Sequence, residues 1–519
     1  MSSALGELGE FSVDLLKSNH FCTGVKRGKE YVCGGEADEN AKGKAVELLD
    51  EAIRRMLHWR VWDEWWIEEA MDEWLEKRDR LEIQLRGKYS EEVINDLLGL
   101  IDKFINYNER LWNYWHEASN DVRKLINDLL NSKAEVIIWS NEKGVSVHYE
   151  YITLNVHKTN TGIIVQLVLK ELKGITVEAP DVFRKTMSRE EYAKFINKVL
   201  KALRGGLEET DGFIKDGKAG ITTTQVWQAI VWALLYPGKT YIRIISINVN
   251  EGDVTINWHL RSSHDPLKGK ILNDAEKLSE EELLAFTLTA VLGDGSADIR
   301  KNVINHPYDE AVIKIAISSK KFDTWKSILS KLWDAGFKWN PNTNEIRFYG
   351  SYAIDLTRAM ISVLPPILCG VLDALDFEKW DNLRKIAEME VKWRRGEMQV
   401  DVAGYKFTVE VFKGTFELVR PVRNEVEAEK VIDVLKAVYG NELYVRINKY
   451  GKYLAIKISA TFIEKHDDIK EQVIEVLCRK LKRTKDERKK QIIAKHLMRL
   501  TILTKDGNCG WFQPGTSKS

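Results

Sequence analysis

The spacing of apolar and polar residues divides the chain into a first helical part and a later part rich in strands. Apolar residues recur every three to four positions from Asn40 to Leu81, and this period predicts one or two long amphipathic helices. Trp59, Trp62 and Trp66 fall on one stripe, and we expect them to pack against apolar residues of the next helices. The acidic residues around them would repel phosphate, so the stripe indicates core rather than base stacking.

From Ala134 onward apolar residues alternate with polar ones, which is the period of half-buried strands. The runs AEVIIWS, GVSVHYEYITLNV and GIIVQLVLKEL show this alternation. Ser188 and Glu191 have the spacing of a capping box, and Thr224 to Tyr236 is apolar enough for a short buried helix. Asn250 to Gly252 has the composition of a hairpin turn. These elements predict an α+β middle domain, and we find no phosphate-binding or catalytic motif in residues 1 to 270.

The stretch from Ser279 to Ser296, SEEELLAFTLTAVLGDGS, combines a strong helix start with an acidic end. Ser279 and Glu282 form a capping box, and the uncharged residues that follow predict a helix buried nearly all round. Gly293 ends the helix, and Asp294 then lies beside the negative end of the helix dipole, where a carboxylate needs a nearby cation. This conflict indicates a functional site.

Within this stretch, Thr287 to Gly295, TLTAVLGDG, resembles the motif of the LAGLIDADG homing endonuclease family, with Leu292 and Thr289 departing from it. In that family two such helices pack through small residues, and the carboxylate next to the final Gly binds the divalent metal at the scissile phosphate. The resemblance therefore implies that Asp294 is a catalytic residue and a Mg²⁺ ligand. The alternative is that Gly293-Asp294-Gly295 forms only a helix stop and a tight turn.

The elements after the motif follow the family's half-domain order of helix, two strands, helix, two strands, helix. In family members the curved sheet lies along DNA, where Lys and Arg contact phosphates and guanine. The resemblance implies DNA contacts on this sheet and on a second, degenerate copy. The alternative is that these residues are solvated strand positions. The candidate DNA-binding residues are Lys314, Lys320, Lys338, Arg347, Arg420, Arg423, Arg446, Lys449, Lys452 and Lys457.

The second, degenerate half-domain is expected to begin with a helix near LCGVLDALD, which offers Asp373 and Asp376 as further metal ligands. Counting back from the following strands places the end of that helix near Arg395 and Gly396, so the carboxylate position is degenerate. The Lys that family members often carry after the last strand is also missing: Gly350-Ser351 stands there in the first expected half-domain. The enzyme expected from the resemblance is therefore incomplete.

The sequence predicts an α+β, multidomain protein with an N-terminal helical bundle, an α+β middle domain and C-terminal tandem αββαββα LAGLIDADG-like half-domains. Chain length and these patterns give the boundaries. They are 1–132, helical and acidic; 133–270, α+β; 271–366, first half-domain; 367–478, second half-domain; and 479–519, basic helix and tail. The chain also resembles repeat-family proteins of unknown function from hyperthermophilic crenarchaea.

Three functions follow as alternatives: a metal-dependent endonuclease acting on double-stranded DNA, a DNA-binding protein that has lost cleavage, and a structural protein that binds partners. Lys and Arg equal Asp and Glu at 78 each, but acidic residues prevail in the N-terminal helices and basic residues in the C-terminal part. The acidic helices are a candidate surface for a protein partner. The basic run from Arg479 to Lys490 is a candidate phosphate-binding segment, and the alternative is a docked amphipathic helix.

The remaining composition constrains the compartment and the redox chemistry. The longest apolar runs are too short to cross a bilayer and the N-terminus has no signal layout, so a cytoplasmic protein without membrane contact is expected. The five Cys include no CxxC pair, and we expect Cys22 and Cys33 to be reduced thiols, with a disulfide between them as the alternative. His259 and His264 are expected in an exposed loop.

Overall fold

The computed structural model describes residues 13–501 except 29, 302–308, 333–336, 392–397, 423, 441–442, 451–452 and 485. It is a mixed α+β structure with three sheets. The chain forms two compact units: one contains 1–349 and 355–387, and the other contains 350–354 and 388–519. The division near 387/388 lies about twenty residues after the expected boundary at 366/367.

The first unit begins with helices that pack on a hairpin and on a long sheet. Its first elements are α1 (Val13–Lys17), β1 (His20–Arg27), β2 (Glu30–Glu36), α2 (Glu39–His58), α3 (Trp65–Leu85) and α4 (Glu91–Leu130). Asp38 caps α2 by accepting from the Ala41 amide at 2.8 Å. The helix pattern breaks after His58, so Trp59 and Trp62 lie in the α2–α3 connection. Trp62 and Trp66 are buried as expected, and Trp66 meets Trp115 of α4 edge to face at 4.8 Å.

The expected boundary at 132/133 is crossed by strand pairing. β1 pairs in parallel with β3 (Glu135–Ile138), so the N-terminal hairpin belongs to the sheet of the middle region. The sequence did not predict this hairpin because its strand residues are mostly exposed. Cys22 and Cys33 lie diagonally opposite in β1 and β2 and form a disulfide, with Cα atoms 5.5 Å apart, so the expectation of two reduced thiols is wrong.

The middle region forms the centre of this sheet. Its elements are β4 (Gly144–His148), β5 (Ile152–Thr159), β6 (Gly162–Leu169), β7 (Ile175–Ala179), α5 (Val182–Thr186) and α6 (Arg189–Asn197). The expected capping box of Ser188 and Glu191 is present at the start of α6. The alternating runs therefore predicted the strands, with a turn at Tyr149–Tyr151 dividing the longest run in two.

Two successive copies of one topology follow. The first copy contains α7 (Val199–Thr210), β8 (Gly212–Lys215), β9 (Lys218–Thr223), α8 (Val226–Leu235), β10 (Gly238–Val249), β11 (Val254–Ser262) and α9 (Lys270–Asn273). The second contains α10 (Glu280–Leu292), β12 (Gly295–Arg300), β13 (Glu310–Ala316), α11 (Phe322–Leu332), β14 (Phe337–Asn340), β15 (Glu345–Tyr349) and α12 (Ser351–Ser362). The strand orders are β8-β9-β11-β10 and β12-β13-β15-β14, which are the same order.

This arrangement differs from the expectation for the motif helix. The expected partner of α10 was the degenerate copy in 367–478, whereas α10 packs against α7 of the preceding copy. The capping box of Ser279 and Glu282 and the burial of α10 are confirmed. The layout expected for one half-domain is therefore present twice, at about 199–273 and 280–362.

The first unit ends with α13 (Pro366–Leu375) and α14 (Glu378–Glu388). α13 contacts α3, α5 and α8. Within the described ranges, no individual helix has both the length and the apolar character needed to cross a membrane; the bent pair α12–α13 meets that requirement by length and composition alone.

The second unit is a five-stranded antiparallel sheet with four helices. Its elements are β16 (Gln399–Val402), β17 (Tyr405–Val411), β18 (Phe416–Val422), α15 (Glu425–Tyr439), β19 (Val445–Tyr450), β20 (Tyr453–Ser459), α16 (Ala460–Lys465), α17 (Asp467–Arg483) and α18 (Glu487–Thr501). The strand order is β16-β17-β18-β20-β19, in which β17-β18-β20-β19 repeats the order of the two copies and β16 is an additional edge strand. Ile493, Leu497 and Leu500 are buried in its core, so the basic C-terminal segment contains a docked amphipathic helix.

Candidate functional site

The two copies meet where α7 and α10 pack closely together. A Cβ added at Gly206 of α7 would overlap the Phe286 carbonyl oxygen and the Thr289 hydroxyl of α10. A Cβ at Gly293 would overlap the side chains of Thr210 and Asp211. Only glycine permits backbones to approach at this distance. The small residues therefore bring the C-terminal ends of the two helices together.

Each helix ends in an Asp-Gly pair at the same structural position. Asp211 follows α7 and Gly212 begins β8, while Asp294 follows α10 and Gly295 begins β12. In both copies the glycine lies against its own helix: a Cβ at Gly212 would lie 2.5 Å from the Glu208 Cα, and one at Gly295 would lie 2.6 Å from the Val291 Cα. Because the turns match, the two carboxylates occupy equivalent places in a paired site.

The two carboxylates interact electrostatically. Burial raises the pKa of Asp211, and the charge of Asp294 raises it further. Burial also raises the pKa of Asp294. Gln228 of α8 donates to Asp211 Oδ2 at 2.8 Å, and this hydrogen bond partly offsets the rise in the Asp211 pKa. Two carboxylates held together are costly unless a cation compensates them.

Lys379 of α14 supplies that cation. Its Nζ donates to the Leu292 carbonyl at 2.9 Å and to the Gly293 carbonyl. Burial lowers the pKa of Lys379, whereas the charges of Asp211 and Asp294 raise it. The ammonium therefore lies at the C-terminal end of α10, where the helix dipole also favours positive charge.

Further charges surround the pair. Lys268 and Lys321 lower the pKa of Asp294, in addition to Lys379. Lys321 pairs with Glu209 at 2.5 Å. Glu208 is fully buried and accepts the backbone N–H of Leu267 at 2.7 Å, which fixes the loop that carries Lys268. Lys268 lies in the loop after β11, the last strand of the first copy.

The four strands of the first copy, β8 to β11, form one end of the long sheet and present a basic outer face. We refer to these four strands as the first sheet. Strand register places Arg261 between Gly220 and Tyr241 of the neighbouring strands. Lys215 lies opposite Lys218, and these positions all belong to one face of the sheet. Lys215 and Lys239 are exposed. We call this face the first-sheet patch, and its basic residues are Lys215, Lys218, Lys239, Arg243 and Arg261.

His259 lies within the first-sheet patch, opposite Thr222 and Arg243, and stacks on Phe213 at 4.8 Å. Burial and the positive charges of Lys215, Arg261 and Arg243 lower its pKa to about 4. The expectation of an exposed loop was wrong for His259 because it belongs to β11. His264 lies after that strand, and its ring packs edge to face on Tyr236. Burial is the main cause that lowers the pKa of His264 to about 4.

The second sheet carries the DNA-binding residues predicted for the first half-domain. Ser296, Lys314, Arg347 and Lys338 form one row across its four strands, so their side chains share a face. We call these four residues the second-sheet row. Lys314 pairs with Asp298 at 2.5 Å, and Arg347 donates to Glu345 at 2.7 Å. Lys338 is exposed over the Tyr349 ring, and Lys320 is exposed before α11.

The other predicted DNA-binding residues belong to the second unit and do not form such a row. Lys457 is buried at 7% exposure and pairs with Glu417 at 2.9 Å, so its ammonium is not available to a phosphate. Arg446 pairs with the same carboxylate at 2.7 Å. Arg420 donates to the Lys406 carbonyl at 3.1 Å. Lys449 is exposed, and Arg423 and Lys452 lie outside the described residues.

Asp373 and Asp376 have protein partners instead of a place beside Asp294. Asp373 accepts from the Trp380 indole at 2.7 Å and pairs with Arg384 at 3.2 Å, which ties α13 to α14. Asp376 ends α13 and pairs with Arg80 of α3. Both carboxylates therefore fix helices, and their role as metal ligands stays a prediction.

Sequence reasoning missed Asp211, and a signal for it exists. Residues 203–212, LRGGLEETDG, contain small residues followed by an Asp-Gly pair, as does the motif from Thr287 to Gly295. Gly205-Gly206 disfavours a helix interior and Glu208 and Glu209 are charged, so the pattern does not indicate a buried helix. Both glutamates are instead buried by hydrogen bonds to the 267–269 loop.

Comparisons with known proteins give only distant similarities. No family model and no curated protein matches the sequence. The structure of the I-LtrWI LAGLIDADG homing endonuclease bound to target DNA is 13% identical, with a TM-score of 0.15, and the match covers 44% of this chain and 100% of that chain. Full-length DUF199/WhiA from Thermatoga maritima is 11% identical, with a TM-score of 0.19 and coverage of 59% and 92%.

The meganuclease I-SmaMI bound to uncleaveable DNA is 11% identical, with a TM-score of 0.14 and coverage of 44% and 99%. TM-scores this low do not establish a shared fold. The two-copy arrangement is therefore described from the strand orders and helix packing of this chain alone.

Proposed function

We propose that the two copies bind double-stranded DNA through the outer faces of their sheets. The observation that carries this function is the placement of basic side chains on the same face of two sheets with the same strand order. Lysine and arginine on such faces neutralise phosphates and release counterions, which supplies most of the affinity of nonspecific DNA binding. The overall charge balance does not oppose this, because the acidic excess lies in the N-terminal helices.

The test is retardation of a random-sequence duplex by the full chain at increasing salt. The logarithm of the binding constant should fall linearly with the logarithm of the salt concentration, by about 0.9 for each phosphate contacted. The full chain is required because a fragment that begins after α7 would expose the buried face of α10. Absence of retardation at low salt would reject DNA binding.

We propose further that the protein binds DNA without cutting it. Wild type and Asp294→Asn should both leave a library of random duplexes intact in Mg²⁺ or Mn²⁺, and both should retard DNA. Asn retains the turn geometry, so the substitution removes the charge with little change in the backbone. Cleavage by wild type that is lost in Asp294→Asn would establish the endonuclease alternative.

DNA binding should strengthen as the pH falls from 7 to 5, in part through His259. Its pKa is lowered to about 4 in the free protein, and a phosphate placed on the first-sheet patch would raise that pKa. Binding then takes up a proton, so affinity increases as the pH approaches the raised pKa.

His259→Gln should reduce this pH dependence, measured as the ratio of dissociation constants at pH 5 and pH 7. His264→Gln is the matched control, because the pKa of His264 is lowered to the same value but His264 lies beyond the end of β11 and its ring packs on Tyr236. Equal pH dependence in wild type and His259→Gln would remove His259 from the interface.

A further inference from the structure

The ammonium of Lys379 is held by backbone oxygen atoms. Its two hydrogen-bond acceptors are the carbonyl oxygens of Leu292 and Gly293 at the end of α10. The carboxylates of Asp211 and Asp294 are the charges that act on it. Carbonyl and carboxylate oxygens are the donors that hard divalent cations use in proteins. The protein has therefore placed a lysine in surroundings that resemble those of a bound cation.

Several contacts fix α14 so that Lys379 reaches this place. Phe377 stacks on Trp227 of α8 with ring centroids 4.1 Å apart. Trp380 is fully buried and donates to Asp373. Asn382 donates to the Ala297 carbonyl of β12 at 2.9 Å. The residues on both sides of Lys379 are thus anchored to both copies, so the position of the ammonium is built into the fold.

The Mg²⁺ ion implied by the resemblance does not fit this arrangement. Across the described residues, no three His, Cys, Asp or Glu side chains gather in a way that could hold a metal ion. Asp211 Oδ2 already accepts from Gln228 and from Thr210. A divalent cation between the carboxylates would also meet the charge of Lys379 at close range, and like charges in a partly buried site repel strongly.

We propose that Lys379 is the built-in counterion of the Asp211–Asp294 pair and takes the place of a divalent cation there. The pair then supports the packing of α7 on α10 and binds no metal while the lysine is present. This inference deepens the proposed function, because it gives a physical reason why DNA is bound without metal-dependent cleavage. It concerns the helix ends alone and can be tested without DNA.

The experiment is a titration of the full chain with Mn²⁺, followed by calorimetry and by the paramagnetic signal of free Mn²⁺. Wild type should show no binding that depends on Asp294. Lys379→Met keeps the length of the side chain and removes its charge, which leaves the two carbonyl oxygens and the two carboxylates available to a cation. This variant should bind one Mn²⁺ with a dissociation constant of about 1 mM or tighter.

Lys379→Met should also melt at a lower temperature than wild type without metal, since two carboxylates are left uncompensated, and Mn²⁺ should restore part of the loss. Lys379→Met combined with Asp294→Asn should bind no Mn²⁺. Lys379→Gln is a second variant in case the Met variant does not fold, and circular dichroism checks folding of each. Lys103→Met is a matched control for loss of a lysine charge at an exposed position of α4.

Two outcomes would overturn the inference. Wild-type binding of Mn²⁺ that disappears in Asp294→Asn would show that lysine and metal coexist. Folded Lys379→Met and Lys379→Gln variants without Mn²⁺ binding would show that the lysine does not hold the cation position. Neither outcome depends on the retardation of duplex DNA. A failure of the proposed DNA binding would therefore be recognised independently of the metal titration.

Discussion

Gly206→Ala is expected to lower the free energy of unfolding of the first unit by about 3 kcal/mol, the upper end of the usual cost of overpacking a core. The added Cβ overlaps the Phe286 carbonyl oxygen, which is backbone and has little room to shift, and the Thr289 hydroxyl. Relief of the overlap requires α7 and α10 to separate, which also disturbs the Asp211–Asp294 pair. Calorimetric melting of the full chain measures the effect.

Gly43→Ala is the matched control for this substitution. Gly43 also lies in a helix, α2, but nothing approaches its Cβ position within 4 Å. Alanine has a higher helix propensity than glycine, so this variant should be more stable by up to about 1 kcal/mol. If Gly206→Ala melted at the wild-type temperature, the two helices would not pack as closely as described.

Removal of one exposed lysine from each sheet is expected to weaken DNA binding on the order of tenfold. The variant combines Lys215→Ala in the first-sheet patch with Lys338→Ala in the second-sheet row, both of which are exposed side chains. Each lysine should account for one phosphate contact, so the slope of log affinity against log salt should become shallower by about 2.

The control variant combines Lys88→Ala and Lys103→Ala, which removes the same charge from exposed positions in the α3–α4 connection and in α4. It should bind DNA like wild type, because its lysines lie on neither sheet of the two copies. Equal loss of affinity in both double variants would indicate a general charge effect and would argue against an interface on the sheets.

Local sequence signals predicted many elements but not how the two copies pair. Ser279 with Glu282 and Ser188 with Glu191 started helices as expected, since capping depends only on residues three apart. The apolar stretch from Thr224 to Tyr236 predicted α8 within two residues at its start. The row of Lys314, Arg347 and Lys338 agrees with the predicted strand alternation.

The predicted second half-domain shows where local signals were insufficient. Residues 399–459 contain strands and a helix in a plausible order, but periodicity does not give strand order within a sheet. Strand order depends on pairing between distant segments, and the structure places β20 between β18 and β19. The order β17-β18-β20-β19 repeats that of the two copies, as the predicted order of elements indicated, whereas the edge strand β16 was not predicted.

By itself, the sequence determined that a buried helix ends at Asp294 beside an unfavourable dipole, so that a compensating cation was required. Only the tertiary structure decided which charged groups lie near Asp294 and which of them supplies the compensating charge. Asp211 comes from a segment whose glycines and glutamates look like a surface turn until α10 covers them, and Lys379 comes from a helix far along the chain. The physical reason is that helix caps and strand periods depend on neighbours in sequence, whereas charge compensation depends on proximity in space.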